Sequence, residues 1–146
     1  MDITNTRELL QRYPFLRIRD WEGKVDDRSD YSWWDAIPGG WRLTFGEQMM
    51  EELRVQLIKE GCLDTYYPIQ VKEKWGALRW YDNGASREVQ AIIDKYEVLS
   101  AKICIFCGKP ATRMTMGWIV PVCNDCGDPS WRTEPLEEVK ETICIK

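Results

Sequence analysis

Residues 104–126 read CIFCGKPATRMTMGWIVPVCNDC, and the two CxxC pairs at its ends set the expected architecture. Fifteen residues separate Cys104 and Cys107 from Cys123 and Cys126. That spacing matches a four-thiolate zinc site, in which two tight turns are brought together by a short hairpin. The chain contains no histidine, so cysteine alone can supply the usual soft ligands. Four cysteines close a tetrahedral shell and leave no position for water or substrate, which predicts a structural zinc and argues against a zinc hydrolase. Two disulfides would need an oxidising compartment, and the opening MDITNTRELLQRYP lacks the apolar stretch of a signal peptide. A thioredoxin-like redox pair accounts for one CxxC but not for two. Cys62 and Cys144 fall outside the pattern and read as a half-buried small residue and a tail thiol.

Working outward, Cys104–Gly108 reads as a zinc knuckle and Cys123–Gly127 as its partner. Arg113–Met116 and Trp118–Val122 form a hairpin about Gly117. Upstream, Ser86 opens a helix to about Ala101, with Val89, Ile92, Ile93, Tyr96 and Leu99 at helical spacing. Residues 68–81, PIQVKEKWGALRWY, predict a β-hairpin around Gly76. Ile69 and Val71 alternate on its first arm, Leu78 and Trp80 on its second, with Ala77, Arg79 and Tyr81 on the opposite face. A second helix over 44–60 carries Phe45, Met49, Leu53 and Leu57, with Met50 and Ile58 widening the stripe. Thr44 and Glu47 fit a capping box, and Gly61 a stop. Residues 4–12 predict a short helix capped by Thr4 or Asn5, with Leu9 and Leu10 inward and Pro14 ending it. Residues 15–40 read as irregular, apart from a short strand at Phe15–Trp21.

The expected fold is therefore α+β, with two main helices, a β-hairpin and a C-terminal four-cysteine zinc-knuckle or zinc-ribbon-like module. Its parts are a body at 1–101, the zinc module at 102–130 packed on it, and an acidic tail at 131–146, within which residues 134–146 form either one weak helix through Leu136 and Val139 or fray. At 146 residues and 44% hydrophobic content, the chain is long enough to bury about 68–70% of its unfolded surface without help from metal. No apolar run approaches 18 residues, so no membrane span is expected. The formal net charge is −4, falling to about −6 once four thiolates and a dication are counted. Such a chain is a poor general DNA binder, because that affinity comes from neutralised phosphates.

The eight tryptophans make an exposed aromatic contact surface a natural expectation beside the core. The best candidate is the hairpin, where Lys72, Lys74 and Arg79 interleave with Trp75, Trp80 and Tyr81. Arginine and aromatic faces stack on bases while lysines meet phosphates, which suits single-stranded nucleic acid or a nucleotide. The opposing reading places these aromatics in the core and in cross-strand pairs, with the basic residues simply on the wet face. Catalytic readings are weaker: no imidazole base exists, and no glycine-rich phosphate loop is present. Asp26, Asp27, Asp30 and Asp35 form the densest carboxylate group, but a solvated loop explains them. Trp33-Trp34 beside them fit a protein-binding edge.

Two stretches together resemble a family of small proteins encoded by bacteriophages and prophages. Gln70-Val71-Lys72-Glu73-Lys74-Trp75-Gly76-Ala77-Leu78-Arg79-Trp80-Tyr81 is similar to that family's QVKEKFGGLRFY segment. Ser100-Ala101-Lys102-Ile103-Cys104-Ile105-Phe106-Cys107-Gly108-Lys109-Pro110 resembles its S-x-x-T-C-x-x-C-G start of the zinc site, and Gly117-Trp118 with Cys123-Asn124-Asp125-Cys126 sits where the family places its Gly-Trp and closing CDxC. The similarity runs from about Gly40 to Gly127. Trp75 and Trp80 replace phenylalanines, and Ala77 replaces a glycine in the turn region. The resemblance implies zinc binding, a bacterial host cytoplasm, and an accessory role in host takeover or counter-defence. A non-enzymatic protein that binds a host or phage macromolecule is thus expected, with a protein as partner. Nucleic-acid or nucleotide binding through residues 70–81 is the alternative.

Overall fold

A computed structural model describes residues 6–26 and 31–136 of the chain. Helix α1 (Thr6–Arg12) buries Leu9 and Leu10, and Pro14 converts the chain to a single 3-10 turn, Pro14–Leu16. Phe15 and Leu16 are fully buried there. The strand expected at Phe15–Trp21 is reduced to two isolated bridges, Arg17 to Ser32 and Arg19 to Val25. Proline at the head of the turn favours helical φ and gives no N–H to a ladder. Helix α2 (Trp33–Ala36) follows, with Ser32 as N-cap. The caps expected at Thr4 or Asn5 lie outside the described residues.

The long helix starts earlier than its periodicity suggested. Helix α3 (Gly39–Trp41) passes through a π-helical segment, Arg42–Gly46, into α4 (Glu47–Glu60). Thr44 therefore lies inside the helical run and caps nothing; its hydroxyl donates instead to the Gly108 carbonyl. The apolar stripe extends back to Trp41, so that Trp41, Phe45, Met49, Met50, Leu53 and Leu57 are all buried. Ile58, expected to widen the stripe, is 48% exposed. Gly61 ends the helix in the left-handed region at φ 72°, with its N–H bonded to Ile58 and Leu57 carbonyls. Helix α5 (Arg87–Ser100) is capped by Ser86, whose hydroxyl accepts the Val89 N–H at 3.1 Å. It packs on the long helix, where Phe45 and Tyr96 stack with centroids 5.5 Å apart.

Strands β1 (Pro68–Lys74) and β2 (Ala77–Asp82) form an antiparallel pair in which Val71 faces Trp80 and Lys74 faces Ala77. A register shift between Pro68 and Gln70 turns Ile69 outward, 59% exposed, so it does not share the buried face of Val71. A bulge of this kind adds a residue to one strand and so inverts the alternation beyond it. On β2 the four residues Ala77–Trp80 are all buried. Helix α5 accounts for this by lying along the strand's outer edge. The Ser100 hydroxyl accepts the Leu78 N–H at 2.8 Å, and the Glu97 carboxylate accepts the Trp80 N–H at 2.9 Å. Two side chains thus supply acceptors that a third strand would otherwise provide.

The second sheet has the order β4-β3-β5, built from β3 (Arg113–Thr115), β4 (Pro121–Val122) and β5 (Thr133–Pro135). Strand β5 corrects the expectation of a helical or frayed tail at its first residues, since it pairs antiparallel with β3. Gly40 and the first CxxC turn meet face to face. The Gly40 N–H donates to Ile105 at 2.9 Å, and the Trp41 indole N–H donates to Ile103 at 3.0 Å. Cys104, Ile105, Val120 and Val122 consequently belong to the same buried cluster as Trp41, Phe45 and Leu78.

Candidate metal centre and the aromatic face beside it

Each CxxC pair is shaped by its own backbone. The Cys104 N–H donates to Lys109 and the Gly108 N–H donates back to Cys104, folding the first pair into a tight turn. Gly108 takes φ 83°, and Gly127 closes the second pair at φ 88°; both values are costly for any residue with a Cβ. Arg113 fastens the second turn, its Nη2 donating to the carbonyls of Cys123 at 2.9 Å and Cys126 at 2.7 Å. Strand pairing between β3 and β4 then sets the turns against each other. The four Sγ atoms lie within 4.8 Å of one another, Cys107 and Cys123 at 3.5 Å. Tetrahedral ligation at a metal–sulfur distance of about 2.3 Å would place sulfurs about 3.8 Å apart. The cluster fits a metal ion held by Cys104, Cys107, Cys123 and Cys126.

The charge balance within the cluster points the same way. Burial opposes ionisation of Cys104, but the N–H groups of Cys107, Cys123 and Phe106 outweigh it and bring the thiol down to about 7. At Cys107 the Lys109 amide favours the thiolate, yet burial and the Cys123 thiol together raise it. Cys126 is raised by its contact with Cys123 and then by burial. One thiolate is easy to form here and its neighbours stay protonated, because burial and the hydrogen bond that each donates to an adjacent sulfur favour their neutral form. A bound dication removes that preference and deprotonates coordinating thiols outright.

The six hairpin residues expected to make a contact surface are divided by the structure. Lys74 and Trp75 are exposed, Trp75 by 66%; Lys72 and Tyr81 are half-buried, with the Lys72 ammonium 6.0 Å from the Tyr81 ring centre. Arg79 and Trp80 are corrections: they are 3% and 1% exposed and cannot present a face to a ligand. Trp80 is core, its indole N–H donating to the Tyr66 hydroxyl at 2.8 Å. Trp33 and Trp34 are half-buried against the core rather than a free edge, with the Trp34 ring lying over Gly46. Asp35 accepts the Ser32 N–H at 2.9 Å and completes the cap of α2, which is a structural use for one of the clustered carboxylates. Asp27, Asp30 and Cys144 lie outside the described residues. Cys62 is half-buried, as its reading as a small apolar residue expects.

In place of the buried pair, the structure gathers rings that the sequence reading did not single out. Phe106, Trp118 and Trp131 form a triangle with centroids 6.2, 6.2 and 6.4 Å apart, each ring 39–55% exposed. Phe106 lies inside the first CxxC, Trp118 in the β3–β4 turn, and Trp131 beyond the second CxxC, against Gly127. No periodicity links three positions in three loops, so the high tryptophan content and the Gly117-Trp118 motif of the family resemblance hinted at such a face without placing the three rings together. The hairpin joins this face through Glu73, whose two oxygens accept the Gly76 N–H at 2.9 Å and the Trp118 indole N–H at 3.2 Å. Lys72, Glu73, Lys74, Trp75, Gly117, Trp118 and Ile119 line the cleft between them, about 290 Å³ in volume.

No helix among the described residues is long and apolar enough to cross a membrane. No protein-family model, curated protein or solved structure matches the chain.

Proposed function

We propose that this is a non-enzymatic binding protein of the accessory kind that phages carry, stabilised by one structural zinc ion in a knuckle- or ribbon-like module. It would act in a bacterial cytoplasm by occupying a host or phage macromolecule. Zinc is favoured because a compact tetrahedral set of four thiolates suits it and needs no redox partner; iron is the competing occupant of such a set. A shell filled by four sulfurs has no position for a reactant, so the metal serves to hold the two turns and α3 together.

The observation that carries the binding role is the exposed aromatic face formed by Trp75, Phe106, Trp118 and Trp131. Large aromatic residues are the usual anchors of macromolecular contacts, and here four of them stand on elements pinned by the metal turns and by Glu73. The tagged full chain and a Trp75→Ala/Trp118→Ala variant, each purified from bacteria, test the reading. A specific partner, protein or nucleic acid, should accompany the native chain and be lost from a variant of unchanged metal content and melting temperature. Identical co-purifying material from both would refute this face as the binding surface.

A further inference from the structure

We infer that the cleft between Trp75 and Trp118 takes single-stranded nucleic acid, stacking bases on the two indoles while Lys72 and Lys74 meet phosphates. The inference rests on the aromatic face being the binding surface and goes further by naming the ligand. Three observations carry it. First, the rings are presented as platforms. Trp118 is held edge-on by Phe106 and Trp131 and tethered through its N–H to Glu73, which leaves 55% of it open to solvent. Trp75 sits at the hairpin tip with φ 55°, beside Gly76 at φ 83°. A bulky residue in the left-handed region is strained, and such strain persists where the surroundings or the role of the side chain hold it.

Second, the charge of the cleft is positive in an acidic chain. Lys72 and Lys74 outnumber Glu73, whose oxygens are taken by two N–H donors, and neither lysine makes an ion pair with a described residue. Third, the cleft is small. At about 290 Å³ it stands at the lower edge of ordinary ligand sites, enough for a base and its sugar but not for a duplex. With only two cations, affinity must come mainly from stacking, which every base can provide, and not from phosphate neutralisation. That combination selects single strands over duplex.

The test is titration of the zinc-loaded full chain with a labelled oligothymidylate of about twelve nucleotides, read by anisotropy and by tryptophan quenching. Binding should quench tryptophan fluorescence and be resisted by duplex competitor. For two phosphate contacts the logarithmic salt slope should be about −1.4, or about sevenfold weaker binding between roughly 50 and 200 mM salt. Trp75→Ala and Trp118→Ala should each weaken binding at least about fivefold, and Lys72→Gln/Lys74→Gln should flatten the salt slope. Metal content and melting temperature serve as folding controls. Absence of binding at the lower salt, equal competition by duplex, or indifference to the tryptophan changes would overturn the inference. If the same ring variants instead abolish capture of a protein, the nucleic-acid assignment falls and the binding face stands. If they affect neither, both readings fall.

Discussion

Gly40 and Gly108 cross at backbone distance where the start of the long helix meets the first metal turn. A Cβ on Gly108 would lie 2.6 Å from the Gly40 carbonyl oxygen, and one on Gly40 would lie 2.2 Å from the Cys104 carbonyl oxygen. Both of these are main-chain atoms, which cannot swing aside as the Thr44 hydroxyl, also in the way at Gly108, can. The contact also carries the Gly40 N–H to Ile105 hydrogen bond, so the crossing couples the helix directly to the first CxxC turn.

Gly40→Ala should therefore destabilise the protein by about 2–4 kcal/mol, through overpacking and displacement of the first CxxC turn. Gly61→Ala is the control. Gly61 demands a positive φ, which Gly40 does not, but nothing lies within 4 Å of the new methyl, and its cost should be about 1–2 kcal/mol. Urea denaturation of both variants against the native chain measures the difference. Equal costs would show that the close approach is not tight.

Ser100→Ala should cost about 1–3 kcal/mol, because the Leu78 N–H at the buried edge of β2 loses its acceptor. Ser100→Thr, which keeps a hydroxyl, should recover part of that loss. Amide exchange at Leu78 gives a local reading: protection should fall in the alanine variant and return with threonine.

Trp75→Asn places the residue type preferred before glycine in a tight hairpin turn, where both central positions take positive φ. Since the indole is 66% exposed, little packing is lost. Thermal unfolding should show a gain of about 0.5–1 kcal/mol. A gain in stability accompanied by loss of ligand would mean that the strained tryptophan is kept for contact and not for folding.

Removal of the metal should not be a local event. The metal turns contribute Cys104, Ile105 and Cys123 to the main buried cluster, and structural zinc is worth about 10–16 kcal/mol in isolated peptides. A strong chelator, or Cys104→Ser, should lower the melting temperature by at least about 20 °C and abolish near-ultraviolet ellipticity in the same transition. Acid should release the ion, because protons compete for the sulfurs. Elemental analysis should return one zinc per chain; iron, or no metal, would refute the assignment.

Tyr66 sets an alkaline limit. Its hydroxyl is raised by burial first and then by the neighbouring Asp82 carboxylate, to which it donates at 2.8 Å. The folded state thus prefers the protonated phenol. Its contribution is complete below the unfolded value of about 10 and is lost as pH rises through the higher folded value. Stability should decline above about pH 10, and this tyrosine should ionise only on unfolding, followed by absorbance at alkaline pH. Tyr66→Phe should remove its share of that slope and cost about 1–3 kcal/mol near neutrality, as it deletes the acceptor of the Trp80 indole N–H.

The helices over 47–60 and 87–100, the hairpin over 68–82 and the cysteine quartet were legible in the chain alone. Each rests on a local rule: apolar residues every three or four positions, alternation broken by glycine, and CxxC turns that bring sulfurs together. Gly61 and Ser86 were equally readable, because caps depend on one residue and its nearest neighbours. Tertiary packing decided the rest. Thr44 was drawn from a capping role into a contact with Gly108, since Gly39 and Gly40 let the helix begin earlier against the first CxxC turn. Arg79 and Trp80 went inside because α5 supplies β2 with acceptors from Glu97 and Ser100, a pairing that alternation within a strand cannot reveal. Phe106, Trp118 and Trp131 came together for the same reason. They sit in loops without a period, and only the folding of the metal turns, with β3, β4 and β5 between and beyond them, brings those loops to one face.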